Sequence, residues 1–269
     1  MISFVGAGPG DPDLITVAGA KRLAGAEVVI WASSLVPKSL LGYCESNPVT
    51  FDSATMTLED VVEVYTSNNG KAIVRLHSGD PSVYGAIQEQ IDECMRLDLE
   101  FEVIPGVTSV AATAARIGRE LTIPKVAQSV VFTRLASKTS ASMPERETLS
   151  AYARIGGSIG IFLSAASPNL VQEALLCEGS AFDESTPAVI AIRTTWPDER
   201  IVTTTVGRLA ADLVASRAKR TVLVLVGEAL AGKAGRSHLY RPDFSHKFRK
   251  RSLSGTTTGR PSRATTAKL

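Results

Sequence analysis

The sequence predicts an α/β fold with two domains and an active site in the cleft between them. Through residues 2–118, short runs rich in valine and isoleucine alternate with amphipathic stretches of helical spacing, which is typical of a mainly parallel sheet with crossover helices. Pro124 then interrupts the pattern. In the second half, two β-branched runs are joined by only six residues, a hairpin-length connection that requires antiparallel strands. We therefore predict a mainly parallel N-terminal sheet and a mixed C-terminal sheet.

The first half contains four predicted strands and four predicted helices. The strands are short, apolar and bounded by glycine, proline or serine: Ile2–Val5, Glu27–Trp31, Ala72–Leu76 and Phe101–Ile104. The helices have apolar residues at helical spacing: Thr16–Ala24, Leu58–Asn68, Ser82–Leu97 and Thr108–Gly118.

The second half repeats these element types in a different order. Its predicted strands are Ser129–Thr133, Ser158–Leu163, Ala188–Thr194, Ile201–Val206 and Thr221–Val226, and its predicted helices are Pro144–Ile155 and Arg208–Ser216. Because small-molecule sites favour the cleft between such domains, we divide the chain into an N-terminal domain at 1–121, a C-terminal domain at 122–240 and a tail at 241–269.

Composition excludes several classes of protein. Hydrophobic residues make up 44% of the chain and the mean hydropathy is +0.11, enough to form a core. No apolar run approaches the ~20 residues that a membrane span needs, so we expect no membrane partner. The start Met-Ile-Ser-Phe-Val-Gly lacks the basic lead of a signal peptide. Three widely spaced cysteines, Cys44, Cys94 and Cys177, favour a reducing, cytoplasmic location.

Charge is unevenly distributed along the chain. Eight basic residues and one acid follow Tyr240, so residues 1–240 carry a net charge of −5 within a total of +2. An acidic body argues against a nucleic-acid partner. The tail is basic and then rich in serine, threonine, glycine and proline, a composition that predicts disorder.

A glycine-rich turn follows the first strand. Gly6, Gly8 and Gly10 permit positive φ and close approach to the backbone. The first candidate, a dinucleotide fold, is disfavoured because Pro9 and Pro12 remove amide donors that a phosphate would need. The spacing is also not G-x-G-x-x-G, and no carboxylate ends the second strand. A tight strand-to-helix turn explains the glycines equally well.

Two further strands end in small, hydroxylated or acidic residues. Asp80 lies just beyond the third strand, and Thr108 and Ser109 lie beyond the fourth, at the edge where parallel sheets bind ligands. Asp80 followed by Pro81 is also typical of a helix N-cap, and both roles are compatible. These ends predict a crevice for a flat neutral or cationic ligand.

The three loops together resemble the tetrapyrrole (corrin/porphyrin) methylase family. The resemblance is carried by VGAGPGDPDLIT at residues 5–16, RLHSGDPSVYGA at 75–86 and VIPGVTSVAA at 103–112. Further along, IPKVAQSVVFTR at 123–134, MPERE at 143–147 and AIRTTWPDE at 191–199 resemble the branch that methylates a precorrin in cobalamin synthesis. The branch that methylates uroporphyrinogen III instead has Lys-Gly at His77-Ser78 and arginine at Ala86.

The resemblance implies S-adenosylmethionine as methyl donor, with a homodimer as the assembly. It implies that the donor pocket is lined by Pro9, Gly79, Asp80, Val83, Thr108, Ser109, Leu163, Thr194 and Val222. Asp80 is the carboxylate expected to pair with a cation of the donor. Leu163 stands where relatives often have methionine.

The tetrapyrrole substrate carries several carboxylates, so arginines are expected around it. Arg134 and Arg193 follow predicted strands and are the candidates, with His77 as a further substrate contact or a structural residue. No residue pattern identifies a catalytic base, and no Cys/His cluster predicts a protein-bound metal. Candidate dimer surface lies in segments 36–43 and 61–65. Alternatives are uroporphyrinogen methylation, methylation of protein or RNA, and a non-catalytic protein that binds S-adenosylmethionine or a tetrapyrrole.

Overall fold

The structure is a computed structural model that describes residues 1–135 and 143–232, together with Ser237, Leu239, Arg241, Phe244 and Lys247. In this part of the chain, ten strands form two five-stranded sheets. The predicted tail at 241–269, with His246, lies almost entirely outside the described residues, as does His238.

The first sheet is wholly parallel, with strand order β3-β2-β4-β1-β5. Its strands are β1 (Ile2–Gly6), β2 (Val28–Trp31), β3 (Val49–Asp52), β4 (Ile73–His77) and β5 (Phe101–Ile104). The helices of this half are α1 (Val17–Ala24), α2 (Leu58–Ser67), α3 (Gln88–Arg96) and α4 (Ser109–Arg116). Because all five strands point the same way, their carboxyl ends and the loops that follow lie at one edge.

Threonines start three of these helices. Thr16, Thr57 and Thr108 each accept a hydrogen bond from the backbone N–H three residues later, which satisfies one of the free amides of a first helical turn. Thr57 completes a capping box with Asp60. The sequence thus places α4 directly after the loop that leaves β5.

The second sheet is mixed, with strand order β6-β7-β10-β8-β9. Its strands are β6 (Val130–Arg134), β7 (Ser158–Phe162), β8 (Pro187–Ile192), β9 (Arg200–Thr205) and β10 (Val222–Val226), and its helices are α5 (Leu149–Ile155), α6 (Pro168–Leu175) and α7 (Leu209–Ser216). Strands β6 and β7 are parallel, while β10 is antiparallel to both of its neighbours. The predicted hairpin is confirmed as β8–β9, which pairs Ile192 with Arg200.

Each sheet is covered on both faces. Phe4 and Tyr65 belong to the core on one face of the first sheet, and Val5 and Leu23 to the core on the other. Helices α5, α6 and α7 contribute to the core on one face of the second sheet. Val110 of α4 packs on the opposite face with Leu223 and Leu225, so α4 lies against the second sheet although it follows the first in sequence.

Several elements differ from the sequence prediction. Strand β3 and helix α6 were not predicted. Helix α3 begins at Gln88 rather than Ser82, because Tyr84 and Ala86 adopt φ of 55° and 48°, a left-handed conformation incompatible with a continuous helix. Helix α5 begins at Leu149 rather than Pro144.

The predicted dimer surface was partly wrong. Leu40, Val61 and Tyr65 are 0%, 5% and 0% exposed. Val61 and Tyr65 point from α2, and Leu40 from the 3-10 turn at 38–43, into the cores of the first sheet. These three side chains have no surface to offer a partner. Within the described ranges, every helix is too short or too polar to cross a lipid bilayer.

Candidate active site between the two sheets

Three loops of the first sheet pack backbone against backbone through glycines. Gly8 and Gly79 exchange hydrogen bonds of 3.2 and 2.8 Å. A Cβ on Gly6 would lie 2.5 Å from the Gly106 Cα, and one on Gly106 would lie 2.1 Å from the Gly79 carbonyl oxygen. The glycines of the first turn therefore serve close packing of the loops after β1, β4 and β5.

Asp80 ties two of these loops together. Its Oδ1 accepts from the Ser82 N–H at 2.8 Å and from the Ser82 hydroxyl, and its Oδ2 accepts from the Gly106 N–H at 2.8 Å. Partial burial alone would raise the pKa of the carboxyl, but these hydrogen bonds together hold it below its ordinary value. Asp80 is consequently an anion at neutral pH. It caps the turn at residues 81–84 rather than a helix.

The second sheet meets these loops through the segment after β8. The Trp196 Nε1–H donates to the Pro9 carbonyl oxygen at 2.9 Å, and the Asp11 N–H donates to the Thr195 hydroxyl at 2.9 Å. The buried hydroxyls of Thr113 and Thr194 are 3.1 Å apart. These contacts join the two halves of the chain beside the carboxyl edge of the first sheet.

A cavity of about 370 Å³ lies at this junction. Its lining includes all nine residues that the resemblance implied for a donor pocket: Pro9, Gly79, Asp80, Val83, Thr108, Ser109, Leu163, Thr194 and Val222. They come from segments that are up to 213 positions apart in sequence. The volume lies within the ~300–1,000 Å³ typical of small-molecule pockets.

The cavity lining also contains residues that the sequence analysis missed. They are Leu35, Ser78, Tyr84, Phe162, Ser164, Ala165, Ala166, Ala191, Lys219, Arg220, Thr221 and Leu223. Tyr84 was within a quoted motif, so a signal existed for it. Lys219 and Arg220 precede β10, and no sequence pattern pointed to them.

Charges in the lining are separated. Asp80 is the carboxylate of the lining and comes from the first half of the chain, whereas the cations Lys219 and Arg220 come from the second half. The remaining wall is mostly apolar or small. A ligand that carries both a cationic and an anionic group matches this distribution.

His77 lies beneath the site rather than in the cavity lining. It is 6% exposed and packs beside Phe4, with ring centroids 6.0 Å apart, and its Nε2 has no hydrogen-bond partner among the described residues. Burial, together with the nearby Arg75 guanidinium, lowers the pKa of His77 to about 3, against a hydrogen bond with the Gly85 backbone. The imidazole is therefore neutral.

Arg134 and Arg193 lie at the same edge of the second sheet, outside the cavity lining. Arg134 ends β6 beside Phe162, and its charge acts on the phenol of Tyr84. Arg193 donates from Nε to Asp198 at 2.6 Å and stacks on Trp196, with its guanidinium carbon 4.0 Å from the ring centroid. Among the described residues, no group of three or more His, Cys, Asp or Glu side chains is arranged to hold a metal ion.

Two β-sheets, each flanked by helices, with a cavity between them are typical of a two-domain α/β enzyme that binds a small molecule. Residues 1–210 match the family model of the Tetrapyrrole (Corrin/Porphyrin) Methylases. The chain belongs to this family.

Two relatives are similar in sequence to this chain over nearly its full length. The chain is 42% identical over 252 residues to the cobalt-precorrin-4 C(11)-methyltransferase of Methanocaldococcus jannaschii, covering 93% of this chain and 96% of that one. It is 41% identical over 251 residues to the precorrin-4 C(11)-methyltransferase of Pseudomonas aeruginosa, covering 92% and 98%.

Solved structures share the architecture. A cobalt precorrin-4 methyltransferase, described as a cobalamin biosynthetic enzyme, superposes with a TM-score of 0.81 at 40% identity, over 85% of this chain and 95% of that one. The uroporphyrin-III C-methyl transferase of Thermus thermophilus, in complex with S-adenosylhomocysteine, gives a TM-score of 0.70 at 25% identity, over 87% and 95%. The predicted two-domain α/β fold is confirmed.

Proposed function

We propose that this chain is an S-adenosylmethionine-dependent methyltransferase that methylates carbon 11 of precorrin-4, or of its cobalt-bearing form, in cobalamin biosynthesis. The observation that carries the proposal is the single cavity lined by Pro9, Asp80, Thr108, Leu163, Thr194 and the other four expected donor residues. The relatives that match at 41–42% identity over more than nine-tenths of this chain carry that activity in their names.

The cavity suits the methyl donor by shape and charge. We pair the ionised Asp80 of the cavity lining with the donor's amino group, and Lys219 and Arg220 of the same lining with its carboxylate. Val83, Leu163 and Val222 offer apolar wall for the adenine ring. Thr194 is 4% exposed and hydrogen-bonded to Thr113 of α4. This hydrogen bond fixes the position of Thr194 in the cavity wall.

In methyl transfer of this kind, the protein contributes mainly the orientation of the two reactants and a favourable electrostatic environment. S-adenosylmethionine supplies a methyl group on a sulfonium, which leaves as a neutral thioether when an electron-rich macrocycle carbon forms the new bond. A pocket that holds both reactants in line lowers the barrier mainly by orientation. The neutral His77 is buried away from the cavity, so we assign it the role of fixing the Gly85 turn rather than proton transfer.

Arg134 is our first candidate for binding a carboxylate of the macrocycle, because it ends β6 at the cavity-facing edge beside Phe162. Arg193 is the second, and its guanidinium already contacts Asp198 and Trp196. We propose that any cobalt enters as part of the substrate. The protein then needs no resident metal.

We propose domains at 1–121 and 122–240 with a tail at 241–269. This division separates the two sheets at the segment between α4 and β6.

We propose a homodimer, as the family resemblance implies, and a cytoplasmic location, which suits the free thiols of Cys44, Cys94 and Cys177. Light scattering tests the dimer, since a mass that stays near 28.5 kDa on concentration rejects it.

A single-turnover assay tests the activity. The enzyme is mixed with methyl-labelled S-adenosylmethionine and, separately, with precorrin-4, cobalt-precorrin-4 and uroporphyrinogen III, and the products are analysed by mass spectrometry. The proposal expects one labelled methyl group on precorrin-4 or its cobalt form, at carbon 11. Exclusive methylation of uroporphyrinogen III would reassign the substrate, and donor binding without any transfer would favour a non-catalytic role.

A further inference from the structure

Three aromatic rings form a continuous row between the two halves of the molecule. The Tyr84 and Phe162 ring centroids are 5.2 Å apart, and those of Phe162 and Phe132 are 5.9 Å apart. Tyr84 comes from the loop after β4, whereas Phe162 and Phe132 come from β7 and β6. Such spacings are typical of favourable aromatic contacts.

The two outer rings of this row are open to solvent. Tyr84 is 46% exposed and Phe132 is 39% exposed, and Leu163 beside them is 72% exposed. Exposed apolar side chains grouped in this way are typical of a binding surface. Tyr84 and Leu163 also hold φ of 55° and 53°, a left-handed conformation that residues with a side chain rarely adopt.

The row continues the donor cavity outward. Tyr84, Phe162 and Leu163 line the cavity, and Phe132 extends the surface beyond it. Helix α4 covers the neighbouring part of the same sheet face through Val110, which lies against Gly160. The part formed by Phe132 and Phe162 is left partly open beside it, and Phe162 also lines the cavity.

A cation lies at the rim of the row. Arg134 is two residues beyond Phe132 on β6, so both side chains lie on one sheet face. Its charge acts on the phenol of Tyr84, at the other end of the row. The row thus combines apolar aromatic surface with a positive charge at its margin, which is the complement of a large ring system that carries carboxylates.

We propose that Tyr84, Phe162 and Phe132 form a platform on which the tetrapyrrole macrocycle lies while its carbon receives the methyl group. The inference rests on the proposed function and adds the surface that positions the acceptor. Phe132 becomes a specificity-determining residue for the macrocycle alone, because it lies outside the donor cavity. Tyr84 contacts both ligands.

The test separates acceptor binding from donor binding. Phe132→Ala is expected to raise the KM for precorrin-4 about five- to 150-fold, by analogy with the ~1–3 kcal/mol lost when an aromatic that stacks on a nucleic-acid base is removed. It should leave S-adenosylhomocysteine affinity by calorimetry within two-fold. Phe132→Leu, which keeps apolar bulk, should lose less. Leu170→Ala, at a residue 51% exposed on α6, is the matched control and should change neither quantity.

Uroporphyrin III, a stable carboxylated macrocycle, provides a probe that does not depend on turnover. Its absorption shift on titration should weaken in Phe132→Ala and in Tyr84→Ala, but not in Leu170→Ala. Folded Phe132 variants with wild-type KM and wild-type uroporphyrin affinity would overturn the platform and leave the proposed function intact. Loss of donor binding in Phe132→Ala would also overturn it, since the ring would then belong to the donor pocket. A wild-type protein that binds the donor and methylates no precorrin would instead remove the proposed function.

Discussion

The indole of Trp196 lies against Gly10, and its Nε1–H donates to the neighbouring Pro9 carbonyl oxygen at 2.9 Å. A Cβ on Gly10 would lie 2.3 Å from the Trp196 Cδ1, a distance that no side chain tolerates. The last glycine of the first turn is thus required by a ring from the second half of the chain. Pro9 lines the cavity, so this contact also fixes one wall of the site.

Gly10→Ala should therefore destabilise the protein and weaken donor binding together. Overpacking typically costs ~1–3 kcal/mol, and displacement of Trp196 moves Pro9. Chemical denaturation gives the free energy of unfolding, and calorimetry gives the S-adenosylhomocysteine affinity. Gly25→Ala is the control, because Gly25 has φ of −92° and nothing within 4 Å of its Cβ position. Equal effects from both substitutions would contradict the steric argument.

Asp80→Asn should weaken S-adenosylmethionine and S-adenosylhomocysteine binding about ten- to hundred-fold, the value of a charge-assisted hydrogen bond. Asparagine has one acceptor oxygen and cannot accept from both Ser82 and Gly106, so some loss of stability is also expected. Ser82→Ala separates the two effects, since it removes a bond to Asp80 and keeps the charge. Unchanged donor affinity in Asp80→Asn would remove the assigned role. Because the pKa of Asp80 is lowered, its contribution should not fade between about pH 8 and pH 5.

Strands with an apolar or β-branched run were predictable from the sequence, whether buried like β1 or partly exposed like β5 and β9. Strand β3 (Val49–Asp52) is mostly exposed at the edge of the first sheet, so it lacks the apolar run by which the other strands were found. The positive φ of Tyr84 and Ala86 moves the start of α3 to Gln88. Neither residue type favours that conformation, so the sequence did not predict it.

The site was predictable only as a set of loops. The motif resemblance named nine residues, and the structure brings all of them to one cavity. It did not name Lys219 or Arg220, because their place depends on β10 lying antiparallel to β7 and β8. Nor did any pattern predict that Trp196 would contact Gly10, since the two residues lie in loops that follow strands of different sheets.

Arg134→Ala is expected to raise the KM for the tetrapyrrole and leave donor affinity unchanged, because Arg134 lies outside the donor cavity and at the rim of the aromatic row. Arg134→Lys should rescue only part of the effect, since an ammonium does not reproduce the planar guanidinium fork. Steady-state kinetics and calorimetry measure the two quantities. Wild-type KM in both variants would transfer the assignment to Arg193.

His77 should make the fold sensitive to acid. The pKa of His77 is about 3 in the folded protein and ~6.5 in an unfolded chain. Between about pH 6.5 and pH 3, the unfolded chain therefore binds a proton at this imidazole and the folded protein does not. Stability attributable to this group is thus complete above pH 6.5 and is lost as the pH falls toward 3. His77→Gln should flatten the fall in unfolding free energy between about pH 7 and pH 5, measured by denaturation at each pH. Parallel curves for the two proteins would contradict a buried neutral imidazole.

The buried hydroxyls of Thr113 and Thr194 offer a test of how the two halves are joined. Thr113 is 0% exposed on α4, Thr194 is 4% exposed after β8, and their oxygens are 3.1 Å apart. Thr194→Val leaves the Thr113 hydroxyl without this partner, which should cost ~1–3 kcal/mol of stability.

Thr113→Val should cost a similar amount, whereas the double variant should recover much of the loss, because replacing both partners removes the unsatisfied group. A double-mutant cycle by chemical denaturation measures the coupling. Donor affinity is measured alongside, because Thr194 lines the cavity and Thr113 does not. Additive losses in the double variant would show that the two hydroxyls do not interact, and the joint between α4 and the second sheet would then depend on the packing of Val110 against Leu225.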